Sequence, residues 1–275
     1  MKRLRGGYTI IEVLIVLGVS GVLLTAAILT YSNSQNGDRF NQSMHDVESK
    51  VQSYVNEVSN SVAPYDSTKD SCTMVGSHPK VVAVLPQPGS DQTCVFVGRA
   101  IQFLPASSHQ LYAYAVFGCR FAQCSAGNAP AASLSEAGLA PIMPNQNGSI
   151  DLTDKYLTNP DISLKSPPTV TYAAGGTASL PATGLVGLYN DFASTGTQSV
   201  SLKAQAYNCG QTSDCSVGSA GLRDCLEQVS SDCASPAGIT KIQACFISAL
   251  TKQTALLTIN INSATIGTEL NLVNC

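Results

Sequence analysis

Between Tyr8 and Tyr31 the chain reads YTIIEVLIVLGVSGVLLTAAILTY, an apolar run whose single charged side chain is Glu12. As a helix this run would extend roughly 36 Å, enough to cross the hydrocarbon core of a bilayer. A polar stretch, SNSQNGD, follows and carries Gly37, a residue able to bend or interrupt a helix. Apolar side chains then recur at Phe40, Met44, Val47, Val51, Val55, Val58 and Val62, in steps of three and four. That spacing predicts one amphipathic helix with its stripe laid on a sheet or in a partner's groove. Asp46, Glu48, Lys50, Ser53 and Asn56 occupy the other face, with Asp46 and Lys50 forming an i,i+4 pair. Pro64 ends the pattern.

After Pro64 the period changes from that of a helix to that of strands. VVAVLP, CVFVGRAIQFLP and QLYAYAVFGC, all between residues 81 and 119, are rich in β-branched and aromatic side chains. SVSLKAQAYNC alternates Leu202, Ala204 and Ala206 against Lys203, Gln205 and Tyr207; TALLTININ alternates Leu257, Ile259 and Ile261 against Thr258, Asn260 and Asn262. These predict half-buried antiparallel strands with one face on the core and one in water. Residues 125–198 are rich in Gly, Pro, Ala, Ser and Asn, with ambiguous strand signals in TVTYAA and GLVGLY. That span is expected to be an elaborated loop region or an inserted subdomain. GLRDCLEQVS predicts a short helix.

Cysteine usage changes the picture of the compartment. All ten cysteines follow residue 70: Cys72, Cys94, Cys119, Cys124, Cys209, Cys215, Cys225, Cys233, Cys245 and Cys275. Their gaps are irregular and no C-x-x-C occurs, which argues for disulfides outside a reducing cytosol over zinc or thioredoxin-like chemistry. Sequential pairing is the simplest assignment, though spacing alone leaves connectivity open. The fold class expected is α+β, a long N-terminal helix, transmembrane then amphipathic, packed on a disulfide-bonded antiparallel β head.

Lys2, Arg3 and Arg5 precede the apolar run, so three of the 15 basic residues lie there and the remainder carries 12 against 18 acids, a net −6. A secretory signal would need a shorter apolar stretch, and a plain anchor would leave Glu12 without a purpose. KRLRGGYTIIEVLIVLGVSGVLL resembles the N-terminus of type IV prepilins and of type II secretion pseudopilins. The resemblance implies cleavage by a prepilin peptidase between Gly7 and Tyr8, N-methylation of Tyr8, and Glu12 as the fifth residue of the mature chain. It implies a leader at 1–7, a transmembrane and assembly helix at 8–31, its amphipathic continuation at 32–63, and a disulfide-rich β head at 64–275. A bridge between Cys245 and Cys275 would resemble the C-terminal disulfide-bounded region of many pilins. Many pilins carry a Pro where this chain has Leu29, a departure shared with pseudopilins and some minor pilins.

The function implied is that of a structural filament subunit, a minor pilin or pseudopilin. Its expected partners are other pilin subunits, the prepilin peptidase, a membrane assembly platform and, before assembly, the lipid bilayer. Basic residues before the span place the N-terminus in the cytoplasm and the head outside, in an envelope or surface filament. The alternative is a filament-tip adhesin, or a DNA- or surface-binding pilin, whose head carries a ligand site. Nucleic acid is not an expected partner of a head so acidic, and the absence of tryptophan weakens a stacking platform. No cofactor, metal or catalytic residue is expected. His45, His78 and His109 lack ligand spacing, and Asp151, Asp154 and Asp161 lack the glycine and closing glutamate of a calcium loop. Leu180–Gly184 reads LPATG, the sortase motif, but 91 residues follow it and a turn between strands is expected.

Overall fold

A computed structural model describes residues 9–66, 68–75, 78–83, 94–103, 109–122, 131, 133–143, 150–180, 184–190, 202–207, 215–227, 233, 238–262 and 265–275. Helix α1 (Ile10–Ser59) opens the chain, followed by β1 (Ser71–Val75), β2 (His78–Val82), β3 (Cys94–Phe103) and β4 (Gln110–Cys119). Then come α2 (Leu134–Ala137), β5 (Ala140–Ile142), β6 (Asp154–Leu157), β7 (Ile162–Leu164), β8 (Thr169–Tyr172), β9 (Thr177–Ser179) and β10 (Gly184–Asn190). The chain closes with β11 (Leu202–Tyr207), α3 (Ala220–Leu226), β12 (Ile239–Ser248), β13 (Thr254–Ile261) and β14 (Ile266–Asn271).

α1 is one continuous helix of 50 residues, about 75 Å long. Gly37 does not break it. A Cβ at Gly37 would lie 3.3 Å from Gln253 Nε2, so the glycine admits the turn between β12 and β13 close to the helix. The helix ends earlier than Pro64 suggests. Asn60 caps it and Ser61 takes a left-handed φ of 52°, with the Ser61 and Val62 amides donating back to Val58 and Glu57. Val62 therefore leaves the stripe and is exposed. The other stripe residues, Phe40 to Val58, are all buried, and Tyr54 joins them fully enclosed. Each large apolar side chain so buried contributes about 1.5–3 kcal/mol to holding helix and head together.

Two six-stranded antiparallel sheets receive that stripe. The first has order β11-β10-β3-β4-β5 with β6 also on β4; the second has order β14-β13-β12-β8-β9 with β7 also on β12. α1 packs against β14 of the second sheet and against β3 and β10 of the first. Both sheets and the helix share one core. The first sheet is buried on its other face too, by Leu222, Cys225 and Leu226 of α3 and by Tyr112, Tyr114, Tyr189 and Tyr207. This is why β3, β4 and β10 read as nearly unbroken apolar runs. Tyr207 was expected in water and is instead buried, its hydroxyl 2.5 Å from that of Tyr189. Thr258 is likewise buried.

The described part of residues 125–198 is not a separate insertion. It supplies β5 to β10, and β10 stands inside the first sheet between β3 and β11. β12 carries no signal of simple alternation, because a register shift between Ile239 and Lys241 interrupts its pairing with β8. It nevertheless lies at the middle of the second sheet. A second bulge, between Phe96 and Gly98, brings β3 against β10 so closely that a Cβ at Gly98 would overlap the Leu188 carbonyl oxygen. Gly98→Ala is expected to cost about 2–3 kcal/mol, read as a lowered urea midpoint of the isolated full-length protein in detergent.

Candidate assembly site on the N-terminal helix

Thr9 is the N-cap of α1, with extended φ and ψ of −75° and 150°. Its hydroxyl accepts from the Glu12 amide at 3.3 Å, while its own amide and hydroxyl donate to Glu12 Oε2 at 2.9 and 3.0 Å. Thr9-Ile-Ile-Glu12 is thus a reciprocal capping box, and it satisfies two orphan donors where the helix would enter an apolar phase. The T-x-x-E spacing stands in the sequence as a helix-start signal, and Thr9 is the site residue that sequence reasoning passed over. In the single chain, Glu12 therefore has a local partner. Gly7 and Tyr8 lie outside the described residues.

From Ile10 to Tyr31 no described part of the head covers the described side chains of the helix. The large apolar side chains range from 83% exposed at Ile10 to 48% at Val13. Gly18 and Gly21 have no neighbour within 4 Å of the place a Cβ would take, which leaves two flat spots for another helix. Thr25 donates to the carbonyls of Gly21 and Val22, and Thr30 to those of Ala26 and Ala27, so neither hydroxyl needs water. The segment is long and apolar enough to span a membrane.

The family model of the prokaryotic N-terminal methylation motif matches residues 2–28. The N-terminal segment is similar to that of type IV pilins and pseudopilins. That match supports a pilin- or pseudopilin-type subunit. No curated protein and no solved structure matches it. Beyond residue 28 the chain is therefore described by its own structure alone.

Within that head the disulfides join Cys72 to Cys94, Cys225 to Cys233 and Cys245 to Cys275. Cys119 and Cys215 are also disulfide-bonded, whereas Cys124 and Cys209 lie outside the described residues. The first bridge ties the β1–β2 hairpin to β3, and the last ties the chain terminus to β12. Lys165 Nζ donates to the carbonyl oxygen of Cys275, and Thr254 Oγ1 to that of Val273 at 2.8 Å, so the tail is held along its length.

Where α1 meets the head, two ion pairs flank Tyr54. Lys50 Nζ lies 2.6 Å from Asp154, so Lys50 pairs across to β6 and not with Asp46 as its spacing suggested. Arg99, 4% exposed at its side chain, places Nε and Nη2 at 2.8 and 2.7 Å from Glu57 Oε2. Both cations lie over the Tyr54 ring, at 5.3 and 5.5 Å from its centroid. Burial above all, then the negative charge of Asp154, pushes the Tyr54 hydroxyl well above its ordinary range and keeps it neutral. This arrangement clamps the helix to the first sheet.

Other residues weighed for chemistry stay apart. His45 Nδ1 lies 3.3 Å from Glu48 on the helix surface, and His109 Nδ1 donates to the Ile162 carbonyl at 2.7 Å. The side chain of His78 is outside the described set. Asp154 is engaged by Lys50, while Asp151 accepts from the Thr153 amide at 2.9 Å. Among the described residues no group of three or more His, Cys, Asp or Glu side chains is placed to hold a metal. Of LPATG, Leu180 is buried and Gly184 opens β10; residues 181–183 lie outside the described residues.

Proposed function

We propose that the chain is a minor pilin or pseudopilin, anchored by residues 8–31 with the head outside the cytoplasmic membrane until it enters a filament. The observation that carries this reading is the uncovered apolar helix with a carboxylate at its head, continuous with a helix clamped into a disulfide-bonded body. Cleavage after Gly7 would free the α-amine of Tyr8, a cation with an ordinary pKa near 7.7–8. It would sit one residue before the N-cap Thr9. Burying that amine in a bundle of apolar helices demands a counter-charge, and Glu12 of an adjacent subunit supplies one. The capping box makes the exchange inexpensive: Glu12 turns from local donors to a stronger, charged one. The pairing then sets the axial register of neighbouring subunits.

Intact mass of the protein recovered from a membrane that contains prepilin peptidase tests this directly. The expected product begins at Tyr8 and carries one methyl group. A protein that still begins at Met1 under those conditions overturns the reading.

A further inference from the structure

Large exposed apolar residues on the described head are few, and their distribution is uneven. Leu157 is 61% exposed, Leu250 58%, Leu272 49% and Val273 47%. Only Val62, beyond the far end of α1, and Val217, beside α3, are otherwise comparable. The first four converge on one end of the head. Leu157 closes β6, and the next residue, Thr158, donates to the His109 carbonyl. Ile162, which opens β7, pairs with Ser248 at the end of β12. Leu250 lies in the turn that follows, closed by the Ser248 amide on the Gln253 carbonyl, and Gln253 touches Gly37. Leu272 and Val273 leave β14 beside Thr254, which opens β13. All four therefore stand where α1 emerges from the head towards its apolar half.

We infer that this rim rests in the headgroup layer of the bilayer in the unassembled subunit, with Leu250 as its deepest residue. The inference rests on the reading of α1 as a membrane anchor. From Tyr31, the last residue of the apolar run, to Gly37 the helix climbs about 9 Å. The headgroup region of one leaflet is roughly 5–7 Å thick, so the rim begins about 2–4 Å beyond its outer boundary, within reach of side chains that project inward. Because α1 is continuous through Gly37, no hinge lifts the head away. Arg39 and Lys252 are exposed at the same rim and offer cations to lipid phosphates, beside the acids Asp38 and Asp161. Aliphatic side chains interleaved with cations suit an interfacial layer better than water, and the rim is too small and too charged to enter the hydrocarbon.

The natural chain contains no tryptophan, so one introduced indole reports alone. Full-length protein carrying Leu250→Trp, Leu23→Trp or Val62→Trp is reconstituted into phosphatidylcholine vesicles with lipids brominated near the glycerol end of the acyl chains. Emission from the substitutions at 23 and 250 is expected to shift to the blue and to be quenched by the brominated lipid, while that at 62 stays solvent-like and unquenched. Quenching at 250 should persist when the protein is diluted into excess lipid. If position 23 is quenched and position 250 behaves like 62, the rim does not touch lipid and the inference is overturned, with the anchor reading intact. A blue shift at 250 that vanishes on dilution, without quenching, assigns the rim to a second copy and overturns it equally. Absence of quenching at 23 removes the anchor reading and this inference together.

Discussion

Glu12→Gln abolishes incorporation into filaments while leaving the head as stable as in the parent protein. Glutamine serves at the third helical position of a capping box, so Thr9 keeps its partner and α1 keeps its start. Only the charge is lost. The Tyr8 amine of the next subunit would then enter the apolar bundle without a counter-ion, at a cost of roughly 2.5–3.5 kcal/mol on insertion scales, or about a hundredfold in partition between membrane and filament. Glu12→Val removes cap and charge together and should fail at least as completely, whereas Thr9→Ala removes the cap alone and should assemble. Sheared filaments and the membrane fraction, compared by immunoblot, give the readout. Normal incorporation of Glu12→Gln would show that the carboxylate acts only as a cap. Because Glu12 is exposed and its hydrogen bonds among the described residues go to Thr9, thermal unfolding of the head serves as an internal control.

The second large effect is on durability. Replacing both Cys245 and Cys275 by Ser should destabilise the head by about 3–4 kcal/mol, the chain-entropy value for a loop whose ends lie 30 residues apart. The loop encloses β13 and β14, and β14 is an edge strand against which α1 packs. Losing the bridge therefore loosens the tail and one wall of the helix-binding core. Lys165 and Thr254 still hold the tail, so the variant should fold but yield to protease at residues 272–275 first. Limited proteolysis followed by mass spectrometry, beside urea unfolding, measures both. An unchanged unfolding midpoint would mean that these noncovalent contacts suffice.

The parts of this fold that are legible in the sequence are those governed by near neighbours. The period of Phe40, Met44, Val47, Val51, Val55 and Val58 marks a buried helix face because each residue's role depends on its own turn of helix. Tyr54 sits between two stripe positions and widens the face, but its enclosure is decided by Arg99 and Lys50 above it. The pairing of Lys50 with Asp154 belongs to the same class: spacing proposes Asp46, and only the folded sheet brings β6 across. Strand existence at β3, β4, β11 and β13 follows from composition, whereas burial of Tyr207 and Thr258 depends on what covers the far face. β12 escapes notice because a bulge breaks its alternation. At the candidate site the carboxylate is conspicuous in the sequence. Its reciprocal bond with Thr9 was equally local, and shows that the acid serves the isolated helix before it can serve a neighbour.

The uninterrupted helix has a mechanical corollary. A shaft without a joint conveys twist as well as pull, so any turn imposed on its apolar lower half rotates the whole outer body by the same angle. The clamp around Tyr54 is then the coupling through which that torque reaches the sheets.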